Sequence, residues 1–425
     1  MNKRYSILSL AAVVAVAGVL FVSMYSNTQV TGSAQTVSNP TVGAASIANT
    51  AKDVTSVGGL VFGFPGATAI PLDQVATEQA NGRTVHYITL VAQSVDLPIM
   101  GGGTYHAMTF NGTVPGPTMR VTQGDVIDVT LIVPSTETTG HSLDMHASQI
   151  SAVPNFGPVM PGKTNEYAYI AETPGAFKYH CEGVGVLGMD QHVLSGMYGM
   201  TIVDPLNGYH KLMVVKTMTQ NGQVVLNRQF FDPAAYEFTL QYNQLYLNSD
   251  GSYNQQYMFL HNTTQTVVNG MALGYDPVIL HPWKGKGGQY EAAPIIVPVG
   301  QHIRLFVLNQ GNMPVFFHIV GGVLDRVTQA NMVQAQGSQT WNIGGSQDAI
   351  IDTVFYEPGA YVAVNHDYAA IFSGAASVFL AQNATAANPS DAVPPDSAVS
   401  NTSIHQNTFV HCLCTNDHAK QLGMQ

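Results

Sequence analysis

Charge is scarce in this 425-residue chain, with Asp, Glu, Lys and Arg together making up 10% of it. The 15 basic residues face 26 acidic ones, a net charge of -11. Nowhere do the cations gather into a stripe that would neutralise phosphates, which argues against a nucleic-acid partner. An acidic surface suits a basic redox partner instead, and solubility alone also accounts for it. Cysteine is scarcer still. Of three residues, Cys412 and Cys414 lie near the C-terminus and Cys181 stands alone in the body of the chain. That excludes an internal disulfide framework and leaves the Cys181 thiol free for other chemistry. No segment sustains a strong 3.6-residue apolar period, so any helices should be short. What is abundant is glycine and proline, 41 and 22 residues, among many Val, Thr and Tyr. Many short strands need many turns, and the composition reads as all-β, built of sandwiches.

The chain opens on Met1-Asn2-Lys3-Arg4, followed by an uncharged run from Ser6 to Tyr25 rich in Ala, Val and Leu. A basic start before an apolar run of about 20 residues is an export signal or a membrane anchor. Either places the folded body outside the cytoplasm, on the periplasmic or cell-surface side. Residues 26–57 are rich in Ser, Thr, Ala, Asn and Gly and read as a flexible linker. A first domain is expected over 58–207 and a second over 208–382. Strand alternation is clear at residues 84–92 and 126–133. The second half repeats the first: Asn111-Gly112 is echoed by Asn269-Gly270, and Pro174-Gly175-Ala176 by Pro358-Gly359-Ala360. In that register Val364 stands for His180 and Asn365 for Cys181, so two tandem sandwiches are expected, of which only the first keeps the thiol. Residues 383–425 read as an exposed tail carrying His411, Cys412, Cys414 and His418.

The chemistry is concentrated at residues 179–197, which contain Cys181, His192 and Met197 in the order Cys-x10-His-x4-Met. A copper ion that passes one electron without rearranging wants two imidazoles and a thiolate in a plane with a weak axial thioether. This stretch supplies three of those four ligands. On a strand, neighbouring side chains point to opposite faces, so His180 and Cys181 belong to different sites. Upstream, His141 and His146 are five apart and face opposite ways, whereas Asp144 and His146 share a face. His141 then completes the Cys181 site, and His146 joins His180 with Asp144 beside it.

Two cupredoxin-like halves with ligands split at both metal-bearing segments resemble the copper-containing nitrite reductases, members of the multicopper oxidase superfamily. The most specific parts are residues 109–117, 141–146, 179–205, 318–322 and 358–366. The resemblance implies a double Greek-key cupredoxin fold, a homotrimer, and reduction of nitrite to nitric oxide with electrons from a small redox protein such as a cupredoxin or cytochrome. It implies a type 1 copper on His141, Cys181, His192 and Met197. A type 2 copper would sit between subunits on His146, His180 and a neighbour's His318, with Asp144 as proton donor. One position departs from the family pattern. Gln265 stands where the family carries a second catalytic histidine, and an amide orients an anion or water without titrating.

That departure keeps a second reading open, a copper oxidase acting on nitric oxide, hydroxylamine or another small substrate. A third is a type 1 copper electron carrier. The eight imidazoles of a four-electron oxygen reductase come largely in His-x-His pairs, and this chain has none. The tail cluster could hold copper or zinc, or simply be oxidised.

Overall fold

The computed structural model describes residues 76–383, apart from 81, 185–187, 277–291 and 293. The apolar N-terminal run, the linker, the expected start of the first domain and the tail with His411, Cys412, Cys414 and His418 lie outside the described residues. Among the described residues no helix is long and apolar enough to cross a membrane.

Short strands dominate because alternating or wholly apolar runs are cut by turn residues. Val126–Val133 alternates half-buried and buried positions along its whole length, with Ile127, Val129, Leu131 and Val133 turned inward. It pairs parallel with Arg83–Pro98 and antiparallel with Lys163–Ile170. The facing sheet runs Met119–Thr122, Tyr198–Asp204, Gly175–His180, Asp144–Met145. Between the sheets lies a core that includes Leu90, Phe110, Ile127, Tyr179 and, notably, Cys181 and Met197.

The second half repeats this plan. A six-stranded sheet containing Tyr236–Leu245, His302–Asn309 and Asp348–Val354 packs on a five-stranded sheet containing Val315–Val320, Gly359–Asn365 and Ala376–Gln382. Each of the four sheets that form the two sandwiches contains one parallel pair in an otherwise antiparallel arrangement. The fold is thus two tandem cupredoxin-like β-sandwiches, and among the described residues no sheet runs from one half into the other. Both Asn-Gly steps take positive φ at both residues, 59° and 74° at Asn111 and Gly112 and 49° and 81° at Asn269 and Gly270. Such turns favour this dipeptide for its tolerance of the left-handed region.

The halves are pinned by apolar packing and by charge. Ala176, Met200 and Ile202 of the first share a cluster with Phe306, Leu308 and Ile350 of the second. Arg120 holds Asp204 through Nε at 2.6 Å and crosses to Glu237 through Nη1 at 2.8 Å. Glu237 also takes Arg304 Nη1 at 3.1 Å, and Arg304 Nε reaches Asp352 at 3.0 Å. Buried Lys178 projects from Gly175–His180 to donate to the Gln310 carbonyl at 2.7 Å.

Candidate metal centres

The strand Gly175–His180 delivers His180 at its last position and Cys181 just beyond it. Cys181, fully buried, has its Sγ 3.3 Å from His192 Nδ1 and 3.8 Å from His141 Nδ1. Backbone N–H groups of Ser142 at 3.3 Å and Gly183 at 3.2 Å also point at this sulfur, the arrangement that stabilises a thiolate. Met197 is buried in the same core, and the backbone ties it in: Cys181 N–H donates to the Met197 carbonyl at 3.1 Å, and Met197 N–H to the His192 carbonyl at 3.0 Å. On the far side of the His141 ring, Nε2 faces Glu137 Oε2 at 3.6 Å, a carboxylate held by the N–H and hydroxyl of Ser94. A ring nitrogen turned to a carboxylate leaves the other for a metal.

Burial pushes the Cys181 thiol up to about 11 despite the two N–H donors. Burial, with His141 adjacent, pushes His192 down to about 4, and burial also lowers His141. Two imidazoles held neutral around a buried thiol that only a cation would ionise fit a soft metal.

The second group is open to solvent. His146 Nε2 and His180 Nε2 lie 3.1 Å apart, with Asp144 Oδ2 at 3.6 and 3.4 Å respectively. His180 donates Nδ1–H to the Cys181 carbonyl at 3.0 Å, which frees Nε2 for this site. The side chain of His146 is 31% exposed and that of Asp144 23%, against 1% for His141. A sealed site suits electron transfer, and an open one admits a small ligand. Burial alone would raise the Asp144 carboxyl, but hydrogen bonds and charge from His146 and His180 outweigh it and hold the group well below the usual carboxylate range.

These side chains fall into two groups, but not by way of a continuous upstream strand. His141 sits in an isolated bridge with Val159, Asp144–Met145 is a two-residue strand, and His146 lies in the turn after it. Pairing of Asp144 with His180 across the short ladder brings the second group together. Glu137 and the donors of Ser142 and Gly183 were not evident from sequence; the only signal for Glu137 is its place four residues before His141.

His318 belongs to neither group within this chain. It lies on Val315–Val320 between Phe316 and Val320 on the outward face, which are 39% and 41% exposed. Its Nδ1 donates to the Gln339 carbonyl at 2.6 Å, leaving Nε2 free, and its ring stands 5.2 Å from that of His366. Gln265 is buried and clamped on Met100, accepting its N–H at 3.1 Å and donating to its carbonyl at 2.8 Å. In the second sandwich Asn365 Oδ1 takes N–H bonds from Phe316 and Asp367. The amide thus mirrors the thiol of Cys181, which takes those of Ser142 and Gly183.

A double cupredoxin sandwich with one sealed Cys/His site and one open His/Asp site, coupled through adjacent residues, defines a copper oxidoreductase. The multicopper oxidase family profile matches residues 92–208. The chain is 31% identical over 307 residues to the copper-containing nitrite reductase of Alcaligenes faecalis, covering 70% of this chain and 76% of that one. It is 32% identical over 276 residues to that of Pseudomonas chlororaphis, covering 63% and 69%. Among solved structures, the copper nitrite reductase from Nitrosomonas europaea superposes with a TM-score of 0.59 at 31% identity, over 71% of this chain and 95% of that one. The chain belongs to the copper-containing nitrite reductase family, and its cofactor is copper.

Proposed function

We propose that this protein reduces nitrite to nitric oxide, NO2⁻ + 2H⁺ + e⁻ → NO + H2O, in the space outside the cytoplasm. The observation that carries this reading is the dipeptide His180-Cys181, whose side chains enter two different groups: Cys181 with His141 and His192, and His180 with His146 and Asp144. Copper, when bound, supplies one-electron transfer at the first group, completed by Met197, and Lewis-acidic anion binding at the second. The covalent path from Cys181 to His180, reinforced by the bond from His180 Nδ1–H to the Cys181 carbonyl, joins the two. Asp144, anionic at rest, is placed to take up a proton and pass it to the bound anion.

Three imidazoles are needed at the open group and this chain brings two, so we assign the third to His318 of a second copy in a homotrimer. Its free Nε2, the outward strand and the exposed Phe316 and Val320 support that assignment. The first sandwich is taken as 58–207 and the second as 208–382. Electrons would come from a small redox protein such as a cupredoxin or cytochrome. The test is direct: copper-loaded full chain, given a competent reductant and nitrite, releases nitric oxide. No nitric oxide with both sites occupied refutes the reading.

Gln265 favours a second reading. Its amide cannot titrate and is fastened to the Met100 backbone at both ends. A direction that releases protons, oxidation of nitric oxide or hydroxylamine, suffers least from the missing acid. Gln265→His tests it, since a rise in nitrite turnover with a fall in the oxidative direction is expected; no change in either sets this reading aside.

A further inference from the structure

The ligand His192 is carried by the six-residue helix Met189–Leu194, which is too short to persist on its own. Its entry residue Gly188 takes φ 72° and no side chain caps it. Apart from the contact of His192 with Cys181, its polar contacts beyond its own turn go to the other half of the molecule. Asp190 Oδ2 accepts Tyr253 Oη–H at 2.8 Å and Gln255 Nε2–H at 3.1 Å. The Leu194 carbonyl accepts Asn243 Nδ2–H at 3.1 Å in a buried position. Val193 packs in a cluster with Leu245, Leu247, Val267 and Ala272 of the second sandwich.

We infer that Asp190, gripped by Tyr253 and Gln255, is a positioning residue through which the second sandwich holds His192 against Cys181 and so sets the geometry of the sealed copper site. The inference rests on the assignment of copper to Cys181 and His192 made above. The bond from Met197 N–H to the His192 carbonyl extends the effect, because a shift of the helix would displace Met197 together with the imidazole. Potential and colour of such a site follow the ligand positions, so the second sandwich contributes to the electron-transfer step without supplying a ligand to it.

Asp190 also bears a charge, and two substitutions separate charge from grip. Tyr253→Phe keeps the carboxylate and removes its shortest bond, whereas Asp190→Asn removes the charge and leaves an oxygen that still accepts from Tyr253. The measurement is made on full-length, copper-loaded protein: visible absorption of the thiolate-bound copper, its reduction potential, and its loss to a chelator, with copper at the open site counted in parallel. A latch predicts that Tyr253→Phe shifts the absorption and potential and weakens copper retention at Cys181 by about 10- to 100-fold, the range for outer-sphere partners, with copper at the open site retained. Gln255→Ala, which removes only the longer bond, should move the same readouts in the same direction and serves if Tyr253→Phe fails to fold. Wild-type absorption, potential and retention in both variants overturn the inference. So does a shift confined to Asp190→Asn, which would mean charge alone. If the wild type itself shows no thiolate-bound copper, the functional reading fails first, and the two failures are thereby distinguished.

Discussion

At the scale of single residues, Cys181 is where the proposed two-copper assignment is tested. Its sulfur is the only thiol among the described residues, so Cys181→Ala should lower copper from two per chain to one. Electron paramagnetic resonance should lose one signal and keep the other; a wild type with one copper per chain would instead favour the electron-carrier reading. Asp144 contacts both imidazoles of the open group and none of the sealed one. Asp144→Asn is expected to cut nitrite turnover by roughly 100-fold or more while leaving the visible absorption intact. Gly199 is constrained by volume. A Cβ there would fall 2.2 Å from Tyr179 Cζ, and that ring is anchored by its hydroxyl on the Pro117 carbonyl at 2.6 Å. Gly199→Ala should therefore cost at least about 1–3 kcal/mol, read from urea unfolding. The ligand types were legible in the sequence because copper selects them by chemistry. The clash at Gly199 was not, because it depends on which ring lies opposite.

At the scale of elements, the strands Tyr236–Leu245, His302–Asn309 and Asp348–Val354 bring Glu237, Arg304 and Asp352 side by side. Removing Arg304 takes one partner from each of two buried carboxylates, leaving Arg120 on Glu237 and Arg326 and His302 on Asp352. Arg304→Met is expected to destabilise the fold by about 3 kcal/mol, the low end of the cost of breaking a buried ion pair, with a lower urea midpoint as the check. Two carboxyls give a pH dependence. Burial pushes Asp325, which accepts Val354 N–H at 2.9 Å, and Asp348 up to about 6 each. Their protonated forms are favoured by the fold, so the folded state binds more protons than the unfolded between the ordinary carboxylate value and about 6. Their contribution is fully present below about pH 4 and lost as pH rises through about 6. Melting temperature measured across that window should fall less in Asp325→Asn than in wild type. None of these charges stands out by spacing, since the pairs are 48 to 117 positions apart.

At the scale of the whole molecule, the open group holds two imidazoles of its own chain, and His318 lies on an outward-facing strand outside it. His318→Ala should leave the thiolate-bound copper in place and deplete the second copper, with no change in the absorption of the first. Mixing this variant with Asp144→Asn chains should restore part of the nitrite turnover if the sites are shared between copies; a strictly intrachain site would show no such rescue. What the sequence determined by itself is short in range. The alternation of neighbouring side chains sends His180 and Cys181 to separate groups, the Asn-Gly steps turn where they should, and the Pro-Gly-Ala repeat marks two like sandwiches. These depend on covalent geometry and on contacts within a few residues. Only the tertiary structure decided that the helix bearing His192 leans on Tyr253 and Gln255, that Gln265 is fastened to Met100, and that His318 is denied to its own chain's histidines. Those follow from how two packed sandwiches meet, and packing joins residues that no local periodicity relates.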